Sequence, residues 1–70
     1  MEVSQVKEKL GKEVYYKHPY TNEYEKYILS AYIYRIRLKD KKHIKQLELM
    51  DIRSNNSVII APIEEVRAEK

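Results

Sequence analysis

Six basic side chains fall close together in this 70-residue chain: Arg35, Arg37, Lys39, Lys41, Lys42 and Lys45. His43 lies among them, and Asp40 dilutes them. Cations at this density can grip a phosphate backbone, a nucleotide-like anion or an acidic protein surface. Arg35 and Arg37 alternate along an extended segment, so both point to one side and hold a fixed spacing. The lysines sit on a turn and add diffuse attraction. The plain alternative is a charged, solvated turn.

Tyrosine is the second group with chemistry to offer. All seven lie between Tyr15 and Tyr34, and the chain has no Phe or Trp. Tyrosines on a β surface stack bases, and they also make rigid protein-contact patches. Tyr16, Tyr27 and Tyr34 alternate with the aliphatic residues of the core and are assigned to its wall. Tyr15, Tyr20, Tyr24 and Tyr32 are the candidates for stacking or for a protein interface.

Catalysis finds little to build on. His18 and His43 lack metal-ligand spacing, and there is no Cys. Ser4, Ser30, Ser54 and Ser57 have no nucleophile-elbow motif around them. The single Gly excludes a glycine-rich phosphate loop. Glu64 and Glu65 are adjacent and point different ways, so they do not form a proton-sharing pair. The expectation is a binding protein with no chemistry of its own, no metal and no cofactor.

The elements that position these residues centre on Tyr27 to Lys39, YILSAYIYRIRLK. The stretch has no Gly, Pro, Asn or Asp, and Ile and Tyr dominate it, which is strand composition. A helical face through Tyr27, Ala31, Tyr34 and Leu38 is the rival pattern, and the Ile and Tyr enrichment argues against it. Tyr27, Leu29, Ala31 and Ile33 make one strand face, and Tyr34, Ile36 and Leu38 the other. A strand has period two, so the apolar set changes face near Ile33. Either a bulge resets the phase near Tyr32 to Tyr34, or the strand bends to serve two packed sheets.

Around this strand the chain reads in order. Ser4 to Leu10 is a short helix, capped by Ser4, striped by Val3, Val6 and Leu10, and stopped by Gly11. Lys12 to Lys17 is a strand, and His18 to Glu25 a loop shaped by Pro19 and Thr21-Asn22-Glu23. Asp40 to His43 turns a hairpin into a third strand, Ile44 to Arg53. In that strand Leu47 and Leu49 face one way and Met50 and Ile52 the other. Asn55 and Asn56 suit positive φ in the next turn. Val58 to Ala61 is a fourth strand, a tight turn spans Ala61 to Glu65, and Val66 opens a fifth. The expected core includes Val14, Leu29, Ile36, Leu47, Ile60 and Ile63.

The sum is one domain, residues 1–70, mainly β: a small antiparallel barrel of about five strands with a short N-terminal helix. The lead-in Gly11-Lys12-Glu13-Val14 and the exit from Val58 to Val66 resemble the SH3-like small barrel in layout. The Trp-containing groove of peptide-binding SH3 domains is missing, so that mode of recognition is not implied. The whole is also similar to small proteins of phages and mobile elements of Gram-positive bacteria.

Composition bounds the partners. Without Cys there is no disulfide framework, and no apolar run is long enough for a leader or a membrane span, so the chain reads as cytoplasmic. The formal charge is +3. Nucleic acid or a nucleotide is the leading partner. A protein-interaction module, such as a phage or mobile-element regulator of a host protein, is the alternative, and an oligomer capturing a small ligand is the third. A chain this short with no disulfide gains from a second copy, so a homodimer through edge strands is also expected.

Overall fold

The computed structural model describes residues 1–55 and 57–69. Helix α1 spans Val3–Lys9, followed by β1 (Glu13–Lys17), β2 (Tyr24–Arg37), β3 (Lys42–Asp51), β4 (Ser57–Pro62), a 3₁₀ turn (Ile63–Glu65) and β5 (Val66–Arg67). The five strands form one antiparallel sheet in the order β4-β3-β2-β1-β5. The fold is therefore mainly β with one short N-terminal helix, as the sequence predicts. No pairing joins β4 to β5 among the described residues.

One face of every strand feeds a single core. Val14, Tyr27, Leu29, Leu47, Leu49, Ala61 and Val66 are buried there with Val6 of α1 and Ile63 of the 3₁₀ turn. Five strands can place one face around one cluster only if the sheet curls. Each fully buried Leu contributes about 1.5–3 kcal/mol, which is large for so small a chain. Val6 alone of the helical stripe is buried, while Val3 and Leu10 are exposed.

Local signals explain the element ends. The helix starts one residue before Ser4, which is a correction: Glu2 is the N-cap, and its N–H donates to the Gln5 side chain at 2.9 Å. Gly11 stands at φ +80° after the helix, a conformation that glycine takes without steric cost. Its N–H donates to the Leu29 carbonyl at 2.8 Å, and Leu29 N–H donates to the Lys12 carbonyl at 3.0 Å. Asn22 and Asn55 take positive φ in their turns; Asn56 lies outside the described residues.

The phase change in β2 is real, but it sits three residues earlier than expected. The register slips between Leu29 and Ala31, so Ser30 is the extra residue and Ile33 lies in regular ladder. Ser30 Oγ lies 3.0 Å from the Glu48 carbonyl and 2.9 Å from the Glu48 carboxylate. The hydroxyl thus ties the bulged residue to β3, which an aliphatic side chain could not do. Past Ser30, Tyr32 pairs with Leu47 on the core face, whereas Ala31, Ile33, Arg35 and Arg37 lie on the outer face.

The second expected phase change, in β3, is absent. Leu47, Leu49 and Asp51 all point inward, and Ile52 is exposed beyond the strand. Asp51 holds the third inward position because Arg53 neutralises it. The Arg53 backbone N–H and Nε donate to Asp51 Oδ1 at 3.0 and 3.2 Å, and the guanidinium lies 5.5 Å from the Tyr27 ring centre. Burial pushes the Asp51 pKa up, but the bonds from Arg53 outweigh it and hold the carboxyl below its ordinary value. Two expected core residues also move out. Ile36 is 50% exposed because β2 and β3 run on together past the ends of β1 and β4, and Ile60 is 44% exposed because β4 turns it to the outer face. Val14, Leu29, Leu47 and Ile63 are buried as predicted.

Deleting Ser30 removes the extra residue yet leaves Leu29 and Tyr32 on the core face. In urea melts the deletion and Ser30→Val should each cost about 1 kcal/mol, the scale of a lost hydrogen bond. Leu29→Ala should cost roughly 2–5 kcal/mol. A deletion as damaging as Leu29→Ala would contradict the role given to Ser30.

Candidate nucleic-acid interface

The two longest strands, β2 and β3, outrun their neighbours. β1 ends its pairing with β2 at Ile28, and β4 ends its pairing with β3 at Gln46. Beyond these points Tyr34, Arg35, Ile36 and Arg37 pair only with Lys45, Ile44, His43 and Lys42. The four pairs and the turn at 38–41 make a two-stranded arm. At about 3.4 Å per residue it reaches roughly 14 Å past the sheet before the turn.

Charge is concentrated on this arm. It carries all six basic candidates, with Asp40 as its one carboxylate. The whole chain has 14 Lys and Arg against 11 Asp and Glu, so the rest keeps 8 against 10 and is net acidic. The positive charge of the molecule is therefore the charge of the arm.

The cations divide between two faces. Arg35, Arg37 and Lys42 lie on the outer face, and Lys45 lies on the opposite face across from Tyr34. Arg35 and Arg37 are about 7 Å apart along the strand. Lys39 and Lys41 are exposed on the turn, where Lys41 holds φ +56°. Arg37 is engaged already: Nε and Nη2 donate to the two Asp40 oxygens at 2.9 and 2.7 Å. Asp40 Oδ1 also accepts from the Lys42 N–H at 3.2 Å, which shapes the turn. The other five cations make no ion pair among the described residues.

The tyrosines named from the sequence do not gather on the arm. Tyr15 and Tyr24 are half-buried on the outer face at the opposite end of β2, where the Arg67 guanidinium covers the Tyr24 ring at 4.3 Å. Tyr20 is exposed in the loop at 18–23, with its ring 5.4 Å from that of His18. Tyr32 packs against the core at the root of the arm. It does not share the face of Arg35 and Arg37, because the bulge lies before Tyr32.

Tyr34 is the aromatic residue that the arm does carry, and the sequence reading assigned it to the core. It is 50% exposed, its hydroxyl is hydrogen-bonded to His43 Nδ1, and the two rings are 5.6 Å apart. Ile36 and the 90%-exposed Leu38 continue the apolar side of the arm. Counting back from the turn would have found Tyr34: it falls opposite Lys45, and a strand position facing a lysine is a poor place for the core.

No group of three or more His, Cys, Asp or Glu among the described residues is placed to hold a metal ion. No helix among them is long and apolar enough to cross a membrane. Comparison with protein-family models, with curated proteins and with solved structures gave no match.

The Arg37 hydrogen bonds hold the Asp40 carboxyl below the ordinary aspartate range. A carbon-detected NMR titration should therefore show Asp40 more than half ionised where free aspartate is half protonated. Arg37→Gln should return its midpoint toward the ordinary value. An Asp40 midpoint unmoved by Arg37→Gln would mean that the pair does not form in solution.

Proposed function

We propose that this protein binds double-stranded DNA through the β2–β3 arm. The observation that carries the proposal is a two-stranded ribbon with six cations, projecting from a body that is otherwise net acidic. The major groove of B-form DNA, about 12 Å wide, admits a two-stranded ribbon, whereas the major groove of A-form RNA is too narrow for side chains to read. Cations on both faces suit phosphates on both walls of the groove. The acidic remainder of the chain favours presenting the arm first, because it is repelled by the same phosphates.

The curled sheet then acts as the mount for the arm. We read it as a small SH3-like barrel, in a cytoplasmic protein that works by binding and not by chemistry. A second reading has its own support. Tyr34, Ile36 and Leu38 expose a row of apolar side chains along one side of the arm, and such a row also suits a groove on a partner protein, for instance a host protein regulated by a mobile element. Salt separates the two, because phosphate contacts release counterions and an apolar contact does not.

Fluorescence anisotropy with a mixed-sequence duplex, at salt from about 50 to 200 mM, tests the proposal. The affinity should fall steeply with salt, at about −0.9 in log–log slope per phosphate contact. Arg35→Gln with Lys42→Gln should weaken binding and shallow the slope by about two units. Asp40→Asn should strengthen binding, since it removes the one carboxylate and releases Arg37. No affinity at low salt, or a slope indifferent to these changes, would end the DNA proposal and leave the protein partner.

A further inference from the structure

The arm leaves the edges of the sheet unused, and one of them differs from everything else in the chain. β4 (Ser57–Pro62) pairs with β3 on one side and, among the described residues, with no strand on the other. Its sequence, SVIIAP, contains no charge, although 36% of the chain is charged and every other strand and helix carries at least one charged residue. Exposed strand edges are ordinarily protected by lysines, bulges or very short length. β5, the other edge, has only two residues. β4 has six, runs in unbroken register with β3, and carries a proline only at its end.

The backbone of β4 has a defined polarity. Pro62 has no N–H, so it fits a position whose amide side faces away from β3. Val58 and Ile60 lie four and two residues earlier and share its orientation, so their N–H and C=O groups point to the free edge. Both side chains lie on the outer face, where Val58 is 52% exposed and Ile60 44%. Half-buried Met50 on β3 lies across from Val58 on the same face.

We infer that β4 pairs with β4 of a second copy of this chain, antiparallel, about a two-fold axis at Ile59. That axis sets Val58 opposite Ile60 of the partner copy and Ile60 opposite its Val58. Each pair exchanges two backbone hydrogen bonds, and each also brings two β-branched side chains together. A second copy is the occupant that fits, because the edge is self-complementary under a two-fold and has no charge to repel itself. The fit is strictly local: the molecule as a whole carries +3, and its cluster of six cations lies on the arm, beyond the last β3–β4 pair at Gln46 and Pro62. The contact joins two five-stranded sheets into one of ten strands. Because β4 runs antiparallel to its copy, the two arms leave the shared sheet at opposite ends. The interface is a single strand pair, below the roughly 1,200 Å² of stable complexes, so association belongs in the micromolar range.

Sedimentation equilibrium from about 5 to 500 µM tests this, with amide hydrogen exchange at both extremes. The weight-average mass should rise from 8.5 kDa toward twice that value with concentration. The amides of Val58 and Ile60 should exchange freely in the dilute sample and slow at least tenfold in the concentrated one. Ile60→Lys, at an exposed outer position, should hold the protein at monomer mass and keep both amides fast. Val58→Lys should do the same if Ile60→Lys folds poorly. A monomer throughout the range would overturn the inference. So would a dimer that survives either lysine, or one whose concentration-dependent protection lies away from β4. The outcome is independent of the DNA proposal, since a monomer that binds a duplex sinks only the dimer.

Discussion

The core and the arm are kept in phase along β2 by setting one residue out of the ladder. Ser30 is inserted into β2, and its hydroxyl reaches Glu48 on β3. Were Ser30 set in regular ladder instead of bulged out, every side chain after it would change faces. Tyr32 would leave the core for solvent, and Arg35 and Arg37 would turn to the concave side. The bulge reconciles two requirements: Tyr27 and Leu29 must be inside at the start of the strand, and the arginines must be outside at its end. A bulge also adds local twist, which suits a sheet that has to curl around one cluster.

The second constraint is where neighbours stop. A strand residue is buried only while another element covers its face. The core ends at the level of Tyr32 and Leu47, the last inward pair packed against the core on β2 and β3. From Tyr34 outward the same alternation continues past the end of the core, so Tyr34, Ile36 and Leu38 are displayed and not buried. The arm is a continuation of the core strands with charge substituted for packing: His43 and Lys45 hold the alternate positions that Leu47 and Leu49 hold further along β3. Attachment to two long strands of the central sheet makes its base rigid.

Much of this was legible in the sequence. The absence of breakers from Tyr27 to Lys39 marked the central strand, Gly11 marked the helix stop, and the charged run around Asp40 marked the hairpin. The position of the bulge was hidden because Ala31 and Ile33 are apolar and half-buried on the outer face. They extend the first apolar set past Ser30 and make the change of phase look later than it is. The one polar residue in that run, Ser30, was the available cue. In β3 the opposite happened: Met50 and Ile52 suggested a shift that Asp51 makes unnecessary, since its pairing with Arg53 lets a carboxylate take an inward place. The grouping of the six cations could be read from spacing. Their separation onto two faces, and the capture of Arg37 by Asp40, depend on register and turn geometry, which spacing does not encode.

The central claim is that the arm is the surface that meets DNA. A titration of the ¹⁵N-labelled protein with a short duplex, followed by two-dimensional NMR at low salt, addresses it residue by residue. The account predicts progressive shifts at residues 34–45, with the largest at Arg35, Lys42 and the turn, and little change at Tyr15, Tyr24 or Arg67. Shifts confined to the Tyr24 and Arg67 end of the sheet, or no shifts at a duplex excess, would contradict it.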